Sequence, residues 1–541
     1  MTTTEPTPAV DQVRTAVLGG EIASRYAGGL STPVKIAWGI AIALALLALA
    51  TLGWVGLVIA LVLIPGTVVA TLPLPGGSWA GHQTRRLHNW WRYRNGEHIF
   101  IGPTDPDFNN PDIDPGWSRP VPLGKVEPID LTGTGLDDMF VLYHHNPGEA
   151  NLFTLVLSVQ GLAEGVRSNE VWAQNAKAFS DSVLNACARR TSHVRTLQMV
   201  SRAVPADLNP HERWITQRVR ALDPDLAARL DEAIRSYGDV IDEIRPFAED
   251  HRCYLVVGIG ESAALMKQAA RLARNKDASV EGGVAQVIRD EAANIQRALH
   301  AAGYGRVDVL GEQRACAVLR SMVNPSFPLD WHKGVRWENC WPSYVGGADA
   351  LVVRPSGIGP DTTRWHTRIA TVPPGKVAPV PLSPDWLAPL LTGVGPDEGD
   401  PADGIPPCPT IRTVTVRMDL VPADRARDVT RKHRTTDAAH AIEDARRGRI
   451  DDGGAEVMAS ASARRAEDLK EGSGYHGVIW SMSVAVTGRD ADDCDRACAR
   501  VTAAADDAAI TELRWREGDH DIAQFWTLPL GRGLASTRYT R

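Results

Sequence analysis

Side chains capable of chemistry are spread through this chain, and their spacing decides what they can do. His144 and His145 are adjacent, so in a strand they point to opposite faces and cannot share a metal ion. His433 and His440 lie seven apart on a helical stretch, with Asp437 and Glu443 beside them. Ligand pairs on helices step by four, so this is a solvated charged face. Cys494 and Cys498 do step by four, but no second ligand pair follows, and the expectation is two small residues packed on a helix. All seven cysteines (Cys187, Cys253, Cys316, Cys340, Cys408, Cys494, Cys498) are scattered and odd in number, which fits a reducing compartment rather than a disulfide framework. Asp105, Asp107, Asp112 and Asp114 lack the ligand order, central glycine and closing glutamate of a calcium loop. Asp490, Asp492, Asp493, Asp506 and Asp507 are expected on a solvated acidic surface. Gly258-Ile259-Gly260 follows a strand, but Ala263 stands where a dinucleotide loop needs its third glycine, and Glu281 is a poor ribose ligand. The sequence holds no Walker loop, no H-E-x-x-H and no G-x-S-x-G elbow; Gly472-Ser473-Gly474 is a turn before a strand. The expectation is a chain with no catalytic residue, no cofactor and no metal.

One stretch is chemically inert and for that reason informative. From Ile36 to Leu72 there is no charged residue. A bilayer crossing needs about 20 apolar residues. The stretch divides into Ile36 to Leu52 and Trp54 to Leu72 about Gly53, with Pro65-Gly66 in the second part. This predicts a two-helix membrane hairpin over 33–74. Arg14, Arg25 and Lys35 precede it, and Arg85, Arg86, Arg92 and Arg94 follow. Basic residues stay on the cytoplasmic side, so the expected placement is the inner membrane, multi-pass, with both termini cytoplasmic. Trp79, Trp90, Trp91 and Tyr93 interleave with Arg85, Arg86, Arg92 and Arg94, a mixture suited to lipid headgroups. These eight residues are the candidate membrane-interface set, and the lipid bilayer is the expected partner. The net charge of -7 argues against direct nucleic-acid binding. The Arg425, Arg427, Arg431, Lys432, Arg434 cluster is balanced by Asp424, Asp428, Asp437, Glu443 and Asp444, and is expected to be a solvated helix.

The elements that would position these groups follow from periodicity. Residues 1–32 are expected to be a mobile lead and 75–120 a juxtamembrane segment and linker. Strand-like runs (Met139 to His144, Leu152 to Val159, Val194 to Val204, Cys253 to Ile259) alternate with helical ones (Glu170 to Arg189, Pro210 to Leu222, Pro224 to Phe247). Asn146-Pro147-Gly148 marks a turn. This predicts an α/β domain over 121–330, then a Trp- and Pro-rich region over 331–393 and a linker over 394–409. The alternation of Val414, Val416, Met418 and Leu420, and later of Val478, Trp480, Met482, Val484 and Val486, gives strands of a last unit, 410–541. Its β-α-β-α-β order suggests a separate ferredoxin-like α+β packing. The fold expected is a membrane hairpin carrying cytoplasmic α/β and α+β domains.

Four segments carry a resemblance: Leu152-Phe153-Thr154-Leu155-Val156-Leu157-Ser158-Val159-Gln160-Gly161, Val323-Asn324-Pro325, Ser383-Pro384-Asp385-Trp386-Leu387-Ala388-Pro389-Leu390-Leu391, and the tail Phe525-Trp526-Thr527-Leu528-Pro529-Leu530-Gly531-Arg532-Gly533-Leu534. With the hairpin and Trp90-Trp91, they resemble an actinobacterial family of membrane proteins that accompany conjugative, type IV-like secretion machinery. That family looks like a small PrgI-like membrane subunit fused to the amino-terminal portion of the conjugation ATPase. In those ATPases a similar Leu-Pro-Leu-Gly segment lies just ahead of the motor domain, so the resemblance implies a motorless relative. It implies a non-enzymatic scaffold, oligomeric in its complex, that docks a separate conjugation-type ATPase and other membrane subunits. A membrane component of type VII secretion and a membrane-anchored enzyme are the competing expectations. The Trp-rich stretch around Trp331, Trp337 and Trp341 has no counterpart in the resemblance.

Overall fold

A computed structural model describes residues 32–71, 73–74, 77–105, 108, 119–145, 151–160, 169–276, 279–330, 333–354, 364–373, 375–399, 407–446 and 454–533. The expected mobile lead before Thr32, the Asn146-Pro147-Gly148 turn, Asp107, Asp112, Asp114, Trp331 and Leu534 lie outside the described residues.

Two apolar helices come first, α1 (Thr32–Leu52) and α2 (Trp54–Thr71). They meet through small residues: Ala41, Ala45 and Ala60 are buried, and a Cβ on Gly56 would lie 2.0 Å from the Ala48 carbonyl oxygen. Leu44, Leu47, Leu57 and Leu61 point outward. Among the described residues only α2 is long and apolar enough to cross a membrane; the apolar described run of α1, Trp38–Leu52, is shorter. At about 1.5 Å per residue such a run falls short of the hydrocarbon thickness. The expected two-pass hairpin, and with it the multi-pass placement in the inner membrane with both termini cytoplasmic, is therefore corrected to one helix of crossing length among the described residues.

After a two-strand pair, β1 (Pro73–Leu74) with β2 (Gly77–Ser78), helix α3 (Trp79–Arg94) leads into the body. The first half of the body runs β3 (Ile99–Phe100), β4 (Val126–Pro128), β5 (Leu142–His144), β6 (Leu152–Val159), α4 (Asn169–Phe179), α5 (Asn185–Ala188), β7 (Val194–Pro205), α6 (Asn209–Arg220), α7 (Pro224–Ile244), β8 (Glu249–Gly260), α8 (Ala263–Lys276), α9 (Val280–Ala301), β9 (Val307–Val309) and α10 (Glu312–Val323). The second half runs β10 (Tyr344–Gly346), β11 (Leu351–Val353), β12 (Trp365–Thr371), α11 (Ala388–Thr392), β13 (Ile411–Val421), α12 (Ala423–Arg446), α13 (Gly454–Asp468), β14 (Gly477–Gly488), α14 (Ala491–Asp507), β15 (Arg514–Trp515) and α15 (His520–Thr527).

Strands β3 to β15 form one 13-stranded sheet in the order β3-β10-β11-β12-β14-β13-β7-β8-β6-β5-β4, with β15 on β12 and β9 on β6. Every pairing is antiparallel. The halves repeat one plan. β6 and β7 both flank β8, while β5 and β9 share the other edge of β6. β12 and β13 both flank β14, while β11 and β15 share the other edge of β12. The halves join where β13 pairs with β7, from Arg412 opposite Ala203 to Asp419 opposite Thr196. The expected separate ferredoxin-like unit is thus corrected: its strands are the middle of a continuous sheet, and β12, from the Trp-rich region, completes their half.

The period-2 alternation of these strands buries both faces. On one face Leu155, Leu157, Leu197, Leu255 and Val257 pack with Leu265, Val284 and Ile288 of α8 and α9. On the same face Val414, Met482, Val484 and Val486 pack with Cys494, Cys498 and Val501 of α14. The opposite face places Val156, Val200 and Val256 against Leu319 and Met322 of α10, Trp337, Trp341, Phe525, Leu528 and Leu530. The Trp-rich stretch is therefore core: Trp337 and Trp341 meet edge to face at 5.6 Å, and Trp341 meets Phe525 at the same separation. The Ser383-Pro384-Asp385 start yields only the short α11, which begins at Ala388.

Candidate docking surface

Helix α3 carries the basic and aromatic residues, and a helix turn of about 100° per residue separates them by face. Arg86, Trp90, Trp91 and Arg94 are exposed, with the Arg94 guanidinium 5.3 Å over the Trp90 ring. Arg92, two positions from Arg94, points the other way. It is buried and pairs with Asp521 of α15, with Glu97 at 3.9 Å. Tyr93 is half-buried and stacks on His98 at 4.3 Å. Trp79 and Arg85 lie on α3, but their side chains are outside the described set. The eight candidate residues therefore do not act as one patch: four form an exposed cationic-aromatic surface, and Arg92 fastens α3 to the body. Burial pushes the Asp521 carboxyl up, an effect the neighbouring Arg92 partly offsets. The same burial raises the Tyr344 phenol and lowers His98.

The tail after α15 lies across the centre of the sheet. The Gln198 amide on β7 donates to the carbonyls of Trp526 (3.1 Å) and Leu528 (3.0 Å) and accepts from the Gly531 N–H (2.6 Å). Four residues along β7, Arg202 donates to the carbonyls of Ser321 (2.9 Å) and Met322 (3.2 Å), where α10 ends. A cation there satisfies last-turn carbonyls and meets the negative end of the helix dipole. Burial lowers Arg202 to about 10, so it stays charged at neutral pH. Gly531 takes φ +71°, and a Cβ there would come within 2.8 Å of Thr154 Cγ2. Beside it His144 is buried, with Nε2 2.8 Å from Thr154 Oγ1. Burial, with Arg532 and Arg417 nearby, drops its pKa to about 3. Neither Gln198 nor Arg202 stands out in the sequence. Each is one polar residue in an alternating strand, and their partners come from segments more than a hundred residues away.

A groove of about 640 Å³ between α12 and α13 is lined by Arg427, Thr430, Arg431, Arg434, Thr435, Ala466, Leu469 and Lys470. Three of the five clustered cations expected on a solvated helix thus converge with Lys470. Their local counter-charges are Asp428 for Arg431, at 3.6 Å, Glu471 for Arg427, at 4.0 Å, and Glu467 for Lys470. The side chains of Lys432, His433 and His440 are outside the described set.

The remaining candidates have structural partners. Gly258 and Gly260 are inside β8, and a Cβ on Gly258 would sit 2.0 Å from Thr196 Oγ1, so they allow strands to pack rather than cradle a phosphate. Cys494 and Cys498 are buried against the sheet. Asp493, expected on the surface, is buried and accepts from Arg489 at 3.0 Å, while Asp490 caps α14 through the Asp493 N–H. Burial pushes the Asp397 carboxyl up, but a hydrogen bond with Asp493, the Gly399 N–H and the nearby Arg500 and Arg496 outweigh it and bring the pKa down to about 2. Among the described residues no three His, Cys, Asp or Glu side chains cluster as a metal set. No protein-family model matches the chain, and no curated protein matches it.

Proposed function

We propose that this chain is a non-enzymatic scaffold component of a conjugative, type IV-like secretion apparatus that docks a separate ATPase. The observation that supports this reading most is the place of the Leu-Pro-Leu-Gly tail. In the ATPases that the sequence resembles, such a segment leads to the motor; here Leu528 and Leu530 are core residues and Gln198 bonds the segment on both sides. A tail held this way ties the segment after α15 to the centre of the sheet. The cationic groove between α12 and α13 is the docking surface assigned to the ATPase. Lipid contact is assigned to α2 with the exposed Arg86, Trp90, Trp91 and Arg94 of α3.

The test is affinity capture of the tagged chain from cells expressing its whole gene neighbourhood, with cross-linking and mass spectrometry. A separate ATPase cross-linked through Lys470 is the expected result. Capture of a type VII secretion core instead, or of the chain alone in repeated trials, overturns the proposal.

A further inference from the structure

Helix α7 has an open apolar seam. Leu226, Leu230, Ala233, Tyr237, Val240 and Ile244 follow one another at alternating steps of four and three, and Phe247 continues the series past the helix end. All are exposed, the large ones from 38% at Leu230 to 67% at Phe247. A strict alternation of this kind fits another helix rather than a sheet or a flat surface, because only a supercoiled partner follows a seam repeating every 3.5 residues. Helix α6 reaches the seam at Tyr237, whose hydroxyl pairs with His211, and its Glu212 meets Arg245 on the side where Ile234 and Ile241 are half-buried; Leu226, Leu230, Val240 and Ile244 stay exposed.

We propose that α7 pairs antiparallel with α7 of a second copy of this chain about a two-fold axis beside Ser236. Two features of the sequence choose this partner and direction. Antiparallel pairing about that axis sets Tyr237 opposite Ala233, Leu230 opposite Val240 and Ile244 opposite Leu226, so the largest seam residue meets the smallest. Parallel pairing sets Tyr237 on Tyr237 and Ala233 on Ala233, leaving one crowded layer and one empty one. Beside the seam lie Arg229, Ser236 and Glu243, at steps of seven. The same two-fold brings Arg229 of each copy to Glu243 of the other, giving two ion pairs, with Ser236 facing its own copy between them. The contact is isologous and therefore closes as a dimer. This inference goes beyond the scaffold reading and stands whether or not an ATPase docks.

The test uses the full chain in detergent carrying Ser236→Cys, treated with a short bis-maleimide. A covalent dimer linked between the two residues at position 236 is expected, and parallel pairing puts these positions on opposite sides of the coil. Arg229→Glu or Glu243→Arg alone places like charges together and weakens the association about tenfold. Both changes in one chain, or the two single variants mixed, restore the link. Residues 229, 236 and 243 are exposed, so unchanged circular dichroism will show that each variant is folded. Absence of a 236–236 link, or a yield indifferent to the charges at 229 and 243, overturns the proposal.

Discussion

His144 shows how a single residue can be made neutral by its surroundings. It is buried beside Thr154, with Arg532 and Arg417 as its charged neighbours, and its pKa is about 3. The unfolded chain takes up a proton near the ordinary value of about 6.5, whereas the fold does not until about 3. Between those values the unfolded state binds more protons, so stability falls as pH falls. The sign follows from a lowered histidine pKa, and the effect is on the order of 4 kcal/mol across that window. His144→Gln keeps a partner for Thr154 and should flatten the slope of unfolding free energy between pH 6.5 and 3. His520, lowered by burial to about 4, leaves a smaller slope behind. An unchanged slope in urea titrations of the variant across that range is incompatible with this assignment. Arg92 makes the complementary case. Arg92→Ala leaves Asp521 buried without its cation and should cost about 3–5 kcal/mol in thermal or denaturant unfolding. Arg92→Ala with Asp521→Ala should recover part of that loss, and equal losses for the single and double variants would remove the pair from the account. The charge type of Arg92 was visible in the sequence, and its membership of a basic cluster suggested a membrane surface. Its direction was not visible, because the carboxylate that turns it inward is 429 residues away.

At the scale of elements, the strands were readable wherever one face differed from the other. Val414 to Leu420 alternate in the sequence, and that run lies in β13. The alternation says which side chains share a face and nothing about which strand lies alongside. The β7–β13 pairing joins segments about two hundred residues apart, and no local signal encodes it. That omission is why a continuous sheet was expected as two domains. The same limit hid the tail, whose anchor Gln198 belongs to β7. Gly531→Ala tests that anchor. A side chain at φ +71° costs about 1–2 kcal/mol, and the contact with Thr154 adds to it. The substitution should lower the melting temperature and make the segment after α15 a site of early proteolytic cleavage. Protection equal to the unsubstituted chain would show that the tail is not held by this geometry.

At the scale of the whole molecule, the repeated plan raises the question of whether the halves are independent. Two half-sheets joined by one strand pair could open at that seam, because each has its own helices on the shared face. The side chains argue otherwise. Arg412 of the second half is buried and grips Glu249 of the first with two bonds, at 2.6 and 2.8 Å. Arg202 reaches Thr413 across the same seam at 3.3 Å, and Gln198 of the first half holds the tail of the second. On the opposite face Phe525 and Leu528 of the second half share one core with Val156 and Val256 of the first. Separating the halves would expose that core and strand buried charges, each a cost of several kcal/mol. The body should therefore unfold in one step. Hydrogen exchange read by mass spectrometry should give peptides from β6 and β8 the same opening free energy as peptides from β12 and β14. Arg412→Ala, which removes the two-bond ion pair with Glu249 across the seam, should lower both values together. If β12 and β14 instead open at lower free energy while β6 and β8 stay protected, the halves are separate folding units and the continuous sheet is only their point of contact.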